Sequence, residues 1–164
     1  MSAQARGFTL LEVMVAVALI GIIAGIAIFH IPGAGTAEQL AAEAERFAAL
    51  AELSHQEAIM LGEQRAIRLR NGGYEFMALD PAGQWAAIDN ADIAQQRSIP
   101  AGMKLGLTIE GRALSLSDTP MLPQILLLAS GETTAFSARF ATADNRGIAV
   151  SGDGLGRFTV QRLP

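Results

Sequence analysis

Val13-Met-Val-Ala-Val-Ala-Leu-Ile-Gly21-Ile-Ile-Ala-Gly25-Ile-Ala-Ile-Phe29 runs for seventeen residues without a charged or polar side chain. With Phe8-Thr-Leu-Leu-Glu12 before it and His30-Ile31 after it, the stretch 8–31 has 24 residues. As a helix it spans roughly 36 Å, enough to cross a hydrocarbon core of about 30 Å with some tilt. Within a soluble protein such a helix has to be enclosed on all sides, and a chain of 164 residues is too small to do that. The reading is therefore a transmembrane helix over 8–31. A cleaved secretory signal is the competing reading, because Pro32 and the small residues Gly35-Thr36-Ala37 follow the run. Glu12 opposes it. A carboxylate placed inside the apolar stretch costs about 2.5–3.5 kcal/mol on insertion scales, and a disposable signal has no use for it.

Ahead of the run stands Met1-Ser-Ala-Gln-Ala-Arg6-Gly7, and the next cation after Arg6 is Arg46. The positive-inside bias puts the amino terminus in the cytoplasm and everything after the span outside. Gly7-Phe8-Thr9-Leu10-Leu11-Glu12-Val13 resembles the processing motif of type IV pilins and type II secretion pseudopilins. The resemblance implies that a prepilin peptidase removes residues 1–7 as a leader, cutting between Gly7 and Phe8 and methylating Phe8. It also implies that Glu12, fifth in the mature chain, is an assembly residue, the counter-ion for the new amino terminus of a neighbouring subunit. Gly21-Ile-Ile-Ala-Gly25 has the GxxxG spacing that lets helices approach closely. A chance pair of small residues in a span rich in Gly and Ala reads equally well.

Pro32-Gly33-Ala34-Gly35 is expected to break or kink the helix over 32–35. Thr36 with Gln39 reads as a capping box that restarts it. Over 37–61, Leu40, Ala44, Phe47, Ala51, Ser54, Ala58 and Leu61 recur at steps of four and three, while Glu38, Glu45, Glu52 and Glu63 fall elsewhere. An amphipathic helix of this kind packs its stripe on a sheet. After Gly62 the period becomes two. Alternation marks strands around Ile67–Leu69, Tyr74–Phe76, Trp85–Ile88, Leu105–Ile109, Leu114–Leu116, Phe136–Phe140, Ile148–Val150 and Phe158–Val160, and Ile125–Leu128 is a short buried strand. Asn71-Gly72-Gly73, Glu110-Gly111 and Gly152–Gly156 are turns, and 89–103 reads as a loop. The class is α+β: a long amino-terminal helix, half transmembrane and half amphipathic, packed on an antiparallel pilin-like head over 36–164.

The head motifs Tyr74-x-Phe76, Trp85 and Ser130-Gly131-Glu132-Thr133, with the Ala58-Ile-Met-Leu-Gly62 end of the helix, are similar to those of the H subgroup of type II secretion minor pseudopilins. What this implies is a structural subunit of a pseudopilus, working in protein export. It would sit in the bacterial inner membrane with its head in the periplasm. Its partners would be the major pseudopilin, the other minor pseudopilins, the prepilin peptidase and exported protein. A minor type IV pilin of a pilus or DNA-uptake system shares the same head motifs and is the alternative.

Composition narrows the chemistry. There is no cysteine, hence no disulfide, thiolate metal site or cysteine nucleophile. A formal charge of −4 offers no general basic field for nucleic acid, although Arg65, Arg68 and Arg70, and Arg157 with Arg162, form local strips. His30 reads as interfacial and His55 as solvated on the helix, with no nucleophile or second ligand in reach by spacing. Asp144-Asn145 and Asp153 offer oxygen atoms to a calcium ion, but turn chemistry accounts for the same residues. Tyr74, Phe76 and Trp85 read as core. No catalytic set, metal site or cofactor is expected, and the protein reads as a non-enzyme.

Overall fold

The structure is a computed structural model that describes residues 10–29, 34–88, 93, 96–144 and 146–163, without the side chains of 21–36. The chain divides into two compact units, Met1–Gly35 and Thr36–Pro164.

The first unit holds α1, Leu10–Phe29, a helix apolar on every side except for Glu12 in its first turn. The carboxylate stands where a helix N-terminus favours negative charge. The expected membrane helix 8–31 contains α1, but Phe8, Thr9, His30 and Ile31 lie outside the described residues. Among the described residues no helix is long and apolar enough to cross a membrane.

Helix α2 covers Ala34–Leu61. It begins earlier than the capping reading of Thr36 expects, so Ala34 and Gly35 belong to the helix and not to the break. Neither residue bars helical backbone, and each added residue satisfies one more backbone hydrogen bond. The break over 32–33 lies outside the described residues. The apolar stripe is as read from Leu40 to Ala58, with Ala44, Phe47, Ala51, Ser54 and Ala58 wholly buried. Leu61 is a correction: it is 57% exposed, as the last residue of the helix before Gly62 turns the chain at φ 68°.

Among the described residues ten strands follow: β1 Arg65–Arg70, β2 Gly73–Leu79, β3 Trp85–Ala87, β4 Arg97–Ser98, β5 Lys104–Ile109, β6 Arg112–Leu114, β7 Ile125–Leu127, β8 Phe136–Ala141, β9 Gly147–Gly152 and β10 Phe158–Leu163. They form two five-stranded sheets. One has the order β3-β2-β1-β7, with β4 also on β2, and the other β10-β9-β8-β5-β6. Every pairing is antiparallel. The antiparallel head is as expected, but α2 packs on two sheets and not one. Phe47 shows how. Its ring meets Tyr74 at 4.9 Å and Phe76 at 6.3 Å on the first sheet, and Phe140 at 5.5 Å and Phe136 at 6.3 Å on the second. One aromatic side chain thus ties both sheets into one core.

Two further expectations change. β4 lies inside the segment read as a loop. It pairs Gly73 with Ser98, and a Cβ at residue 73 would stand 1.9 Å from the Arg97 carbonyl oxygen, so the glycine is what admits the strand. Leu116 is outside β6, which stops at Leu114.

Candidate functional site

Two regions carry the functional reading: the processing segment and the surface of the head. Gly7 and Phe8 lie outside the described residues, as do the side-chain surroundings of Gly21 and Gly25, both on α1. Around Glu12, Leu10 is 82% exposed, Leu11 73% and Met14 67%. Apolar side chains this open, on a helix with no polar face, call for lipid or partner helices.

In the head, the periodicity misses a buried carboxylate. Glu43 is 6% exposed, next to the stripe residue Ala44. The Tyr74 hydroxyl donates to Glu43 Oε1 at 2.7 Å, and Arg46 reaches Oε2 at 3.3 Å. Burial, and then the bond to Glu43, push the Tyr74 phenol far above its ordinary value. The pair latches α2 to β2. The sequence signal for it is weak: a glutamate one residue off the stripe and a tyrosine whose buried hydroxyl must find an acceptor.

His55 is also a correction. It is 7% exposed and not solvated. Its Nε2–H donates to the Gly131 carbonyl at 3.0 Å, and its ring stands edge-on to Phe158 at 5.8 Å. Gly156, at φ 75°, closes over the ring so tightly that a Cβ there would stand 2.2 Å from it. Thr133 completes the junction, its hydroxyl donating to the Asp153 carbonyl and its N–H to the Gly154 carbonyl at 3.2 Å. The Ser130–Thr133 motif and the Gly152–Gly156 turn therefore act together as the seat for the far end of α2. His30 lies outside the described residues.

Three of the five arginines in the strips are ion-paired. Arg65 is buried against Glu57 and Glu63, and Arg68 pairs with Glu75 at 2.6 Å. Arg157 pairs with Asp153 at 2.7 Å. The carboxylates weighed for calcium are likewise engaged. Asp144 accepts from Thr142 and from Arg146, and these bonds hold its pKa below the usual carboxylate range. Asp153 accepts from the Arg157 and Leu155 N–H groups at 3.0 and 2.9 Å. The Arg157 bonds, backbone first, depress it in the same way. Asn145 lies outside the described residues, and among those described no group of acidic or histidine side chains is arranged to hold a metal. Tyr74 and Phe76 are core, whereas Trp85 is half-buried on β3.

Known proteins match both regions. A prokaryotic N-terminal methylation motif matches residues 2–28, and the family described as Type II transport protein GspH matches residues 43–156. Type II secretion system protein H of Pseudomonas aeruginosa is 29% identical over 162 residues, covering 92% of each chain. The protein of the same name from Escherichia coli is 30% identical over 144 residues, covering 85% of this chain and 83% of its own. Among solved structures, the minor pseudopilin EpsH from the type 2 secretion system of Vibrio cholerae aligns with a TM-score of 0.65 at 21% identity, over 76% of this chain and 97% of its own. The solution structure of E. coli GspH gives 0.63 at 20% identity, over 81% and 94%. The chain belongs to the Type II transport protein GspH family.

Proposed function

We propose that the protein is a processed and methylated structural subunit of a pseudopilus, without enzymatic activity. It is anchored by residues 8–31 in the inner membrane, with its amino terminus in the cytoplasm and its head in the periplasm. Residues 1–7 are the leader, Gly7–Phe8 is the bond cut, and Phe8 is the residue methylated. Glu12 serves assembly by meeting the Phe8 ammonium of a neighbour, and Gly21 and Gly25 let adjacent α1 helices approach. Its partners are the other pseudopilins and exported protein. The observation that carries the reading is the coincidence, in one chain, of the methylation motif over 2–28 with a GspH head over 43–156.

The paired state of Arg65, Arg68 and Arg157 supports this reading over a DNA-uptake pilin, since counterion release requires cations free to meet phosphates. Intact-mass measurement of the membrane-extracted protein tests the processing. Loss of seven residues with the gain of one methyl group is expected. A mature terminus at Glu38 would identify an ordinary signal peptide and overturn the proposal.

A further inference from the structure

Among the described residues, the edges of the two sheets are short or covered, with one exception. β3, β4, β6 and β7 have three, two, three and three residues. Where β1 runs beyond β7, a side chain stands in for a strand: the Gln124 carboxamide accepts from the Leu69 N–H at 2.9 Å and donates to the Leu69 carbonyl at 3.1 Å. The Asn71 N–H next along is taken by the Ser117 carbonyl at 3.2 Å. β10 has no such cover. It is six residues long, pairs one-to-one with β9 without a bulge, and has no second neighbour among the described residues. Thr159, Val160, Gln161 and Arg162 are exposed, and no proline interrupts them. Sheet proteins ordinarily blunt an edge of this length, because its bare N–H and C=O groups complement any extended backbone.

A cavity of about 360 Å³ opens at the end of this edge, between Leu40 and Ala41 of α2, Ile148 of β9 and Leu163 of β10. Arg162 stands on the β10 wall and Glu38 on the α2 wall, while Arg146, also at the cavity, is paired with Asp144. Arg162 has no carboxylate within ion-pair distance among the described residues. We propose that β10 is a docking edge that takes an extended segment of a partner protein as an additional strand, with one apolar side chain of that segment in the cavity and a neighbouring carboxylate on Arg162. Backbone pairing along β10 supplies affinity, and the cavity and the arginine set the register. Glu38 repels the same carboxylate from the α2 wall, which confines the added strand to the β10 side. The proposal does not depend on processing at Gly7–Phe8.

The test uses the full chain in detergent micelles and a synthetic peptide, Thr-Val-Thr-Val-Ser-Leu-Glu. Controls are a copy with proline in place of the second valine and a copy ending in lysine. Amide hydrogen exchange over residues 158–163 is followed with each. Exchange slowed about tenfold by the first peptide, and unchanged by the proline copy, is expected. Arg162→Glu, an exposed change that leaves the core alone, is expected to reverse the preference between the acidic and the lysine-ended peptide. The proposal is overturned by unchanged exchange at millimolar peptide, by equal protection from the proline copy, or by no reversal in Arg162→Glu. Protection of β10 that rises with protein concentration in the absence of peptide also overturns it, since copies would then be pairing with each other.

Discussion

Glu110 has φ 48° and Gly111 φ 79°, so the two residues between β5 and β6 form a turn with left-handed backbone at both positions. A side chain other than asparagine, aspartate or glycine is strained there, by roughly 1–2 kcal/mol at the upper end. Glu110→Asn should therefore raise stability by about 0.5–1 kcal/mol, read as a higher urea midpoint with an unchanged slope. The Asn71-Gly72 hairpin shows the converse. Its dipeptide is the one that favours this left-handed turn, yet neither residue has positive φ. Asn71 is held instead by Asp118 at 2.9 Å, and the Gly72 carbonyl by the Ile99 N–H at 3.0 Å. Both hairpins are legible in the sequence. Their turn types are not, because tertiary hydrogen bonds outweigh the local preference. The Glu43–Tyr74 latch is hidden for the same reason, since periodicity reports the side of a helix and not the partner waiting there. Tyr74→Phe leaves the buried Glu43 carboxylate without its 2.7 Å donor and should cost about 1–3 kcal/mol, measured by thermal or urea unfolding.

Elements were legible wherever one period held over several residues. α2 and the strands carrying Ile67–Leu69, Tyr74–Phe76 and Phe136–Phe140 follow the alternation, because each buries one continuous stripe. β4 was not, since two residues are too few to show a period and its cause is the missing Cβ at Gly73. The burial of His55 has no local signal, because the residue lies beside the stripe and is covered by residues remote in sequence, Gly131 and Gly156. The stripe makes α2 the element on which both sheets depend. Phe47→Ala removes the ring that touches four aromatic neighbours across the two sheets. It should cost about 3–5 kcal/mol. Near-ultraviolet circular dichroism should weaken along with the thermal midpoint, because the aromatic packing of both sheets loosens together. A loss confined to one sheet in hydrogen exchange would show that the sheets are held independently.

At the scale of the whole molecule, the division at residues 35 and 36 sets the unit that carries α1 apart from the unit that carries the strands. The apolar run and the helical and strand periods announce that division in the sequence. The split of the head into two sheets is not announced, because strand order depends on pairings between β5 and β8 or β1 and β7 that no local pattern encodes. The division makes a prediction about Glu12. The residue sits in the first turn of α1, in the unit that excludes the head. Its proposed counter-ion, the Phe8 ammonium of a neighbouring subunit, is created by processing. Glu12→Leu should therefore insert at least as well as the parent chain, since it removes a carboxylate from an apolar stretch, and should leave the melting temperature of the head unchanged. Incorporation into pseudopili should fall, because the neighbour's ammonium is left without a counter-ion. Such a loss costs about 3–5 kcal/mol when fully buried and less where water reaches the membrane edge. Crosslinking to the other pseudopilins in membranes is the measurement. If Glu12→Leu crosslinks as efficiently as the parent chain, recruitment is driven by the head and not by the ion pair, and the β10 edge becomes the first surface to test.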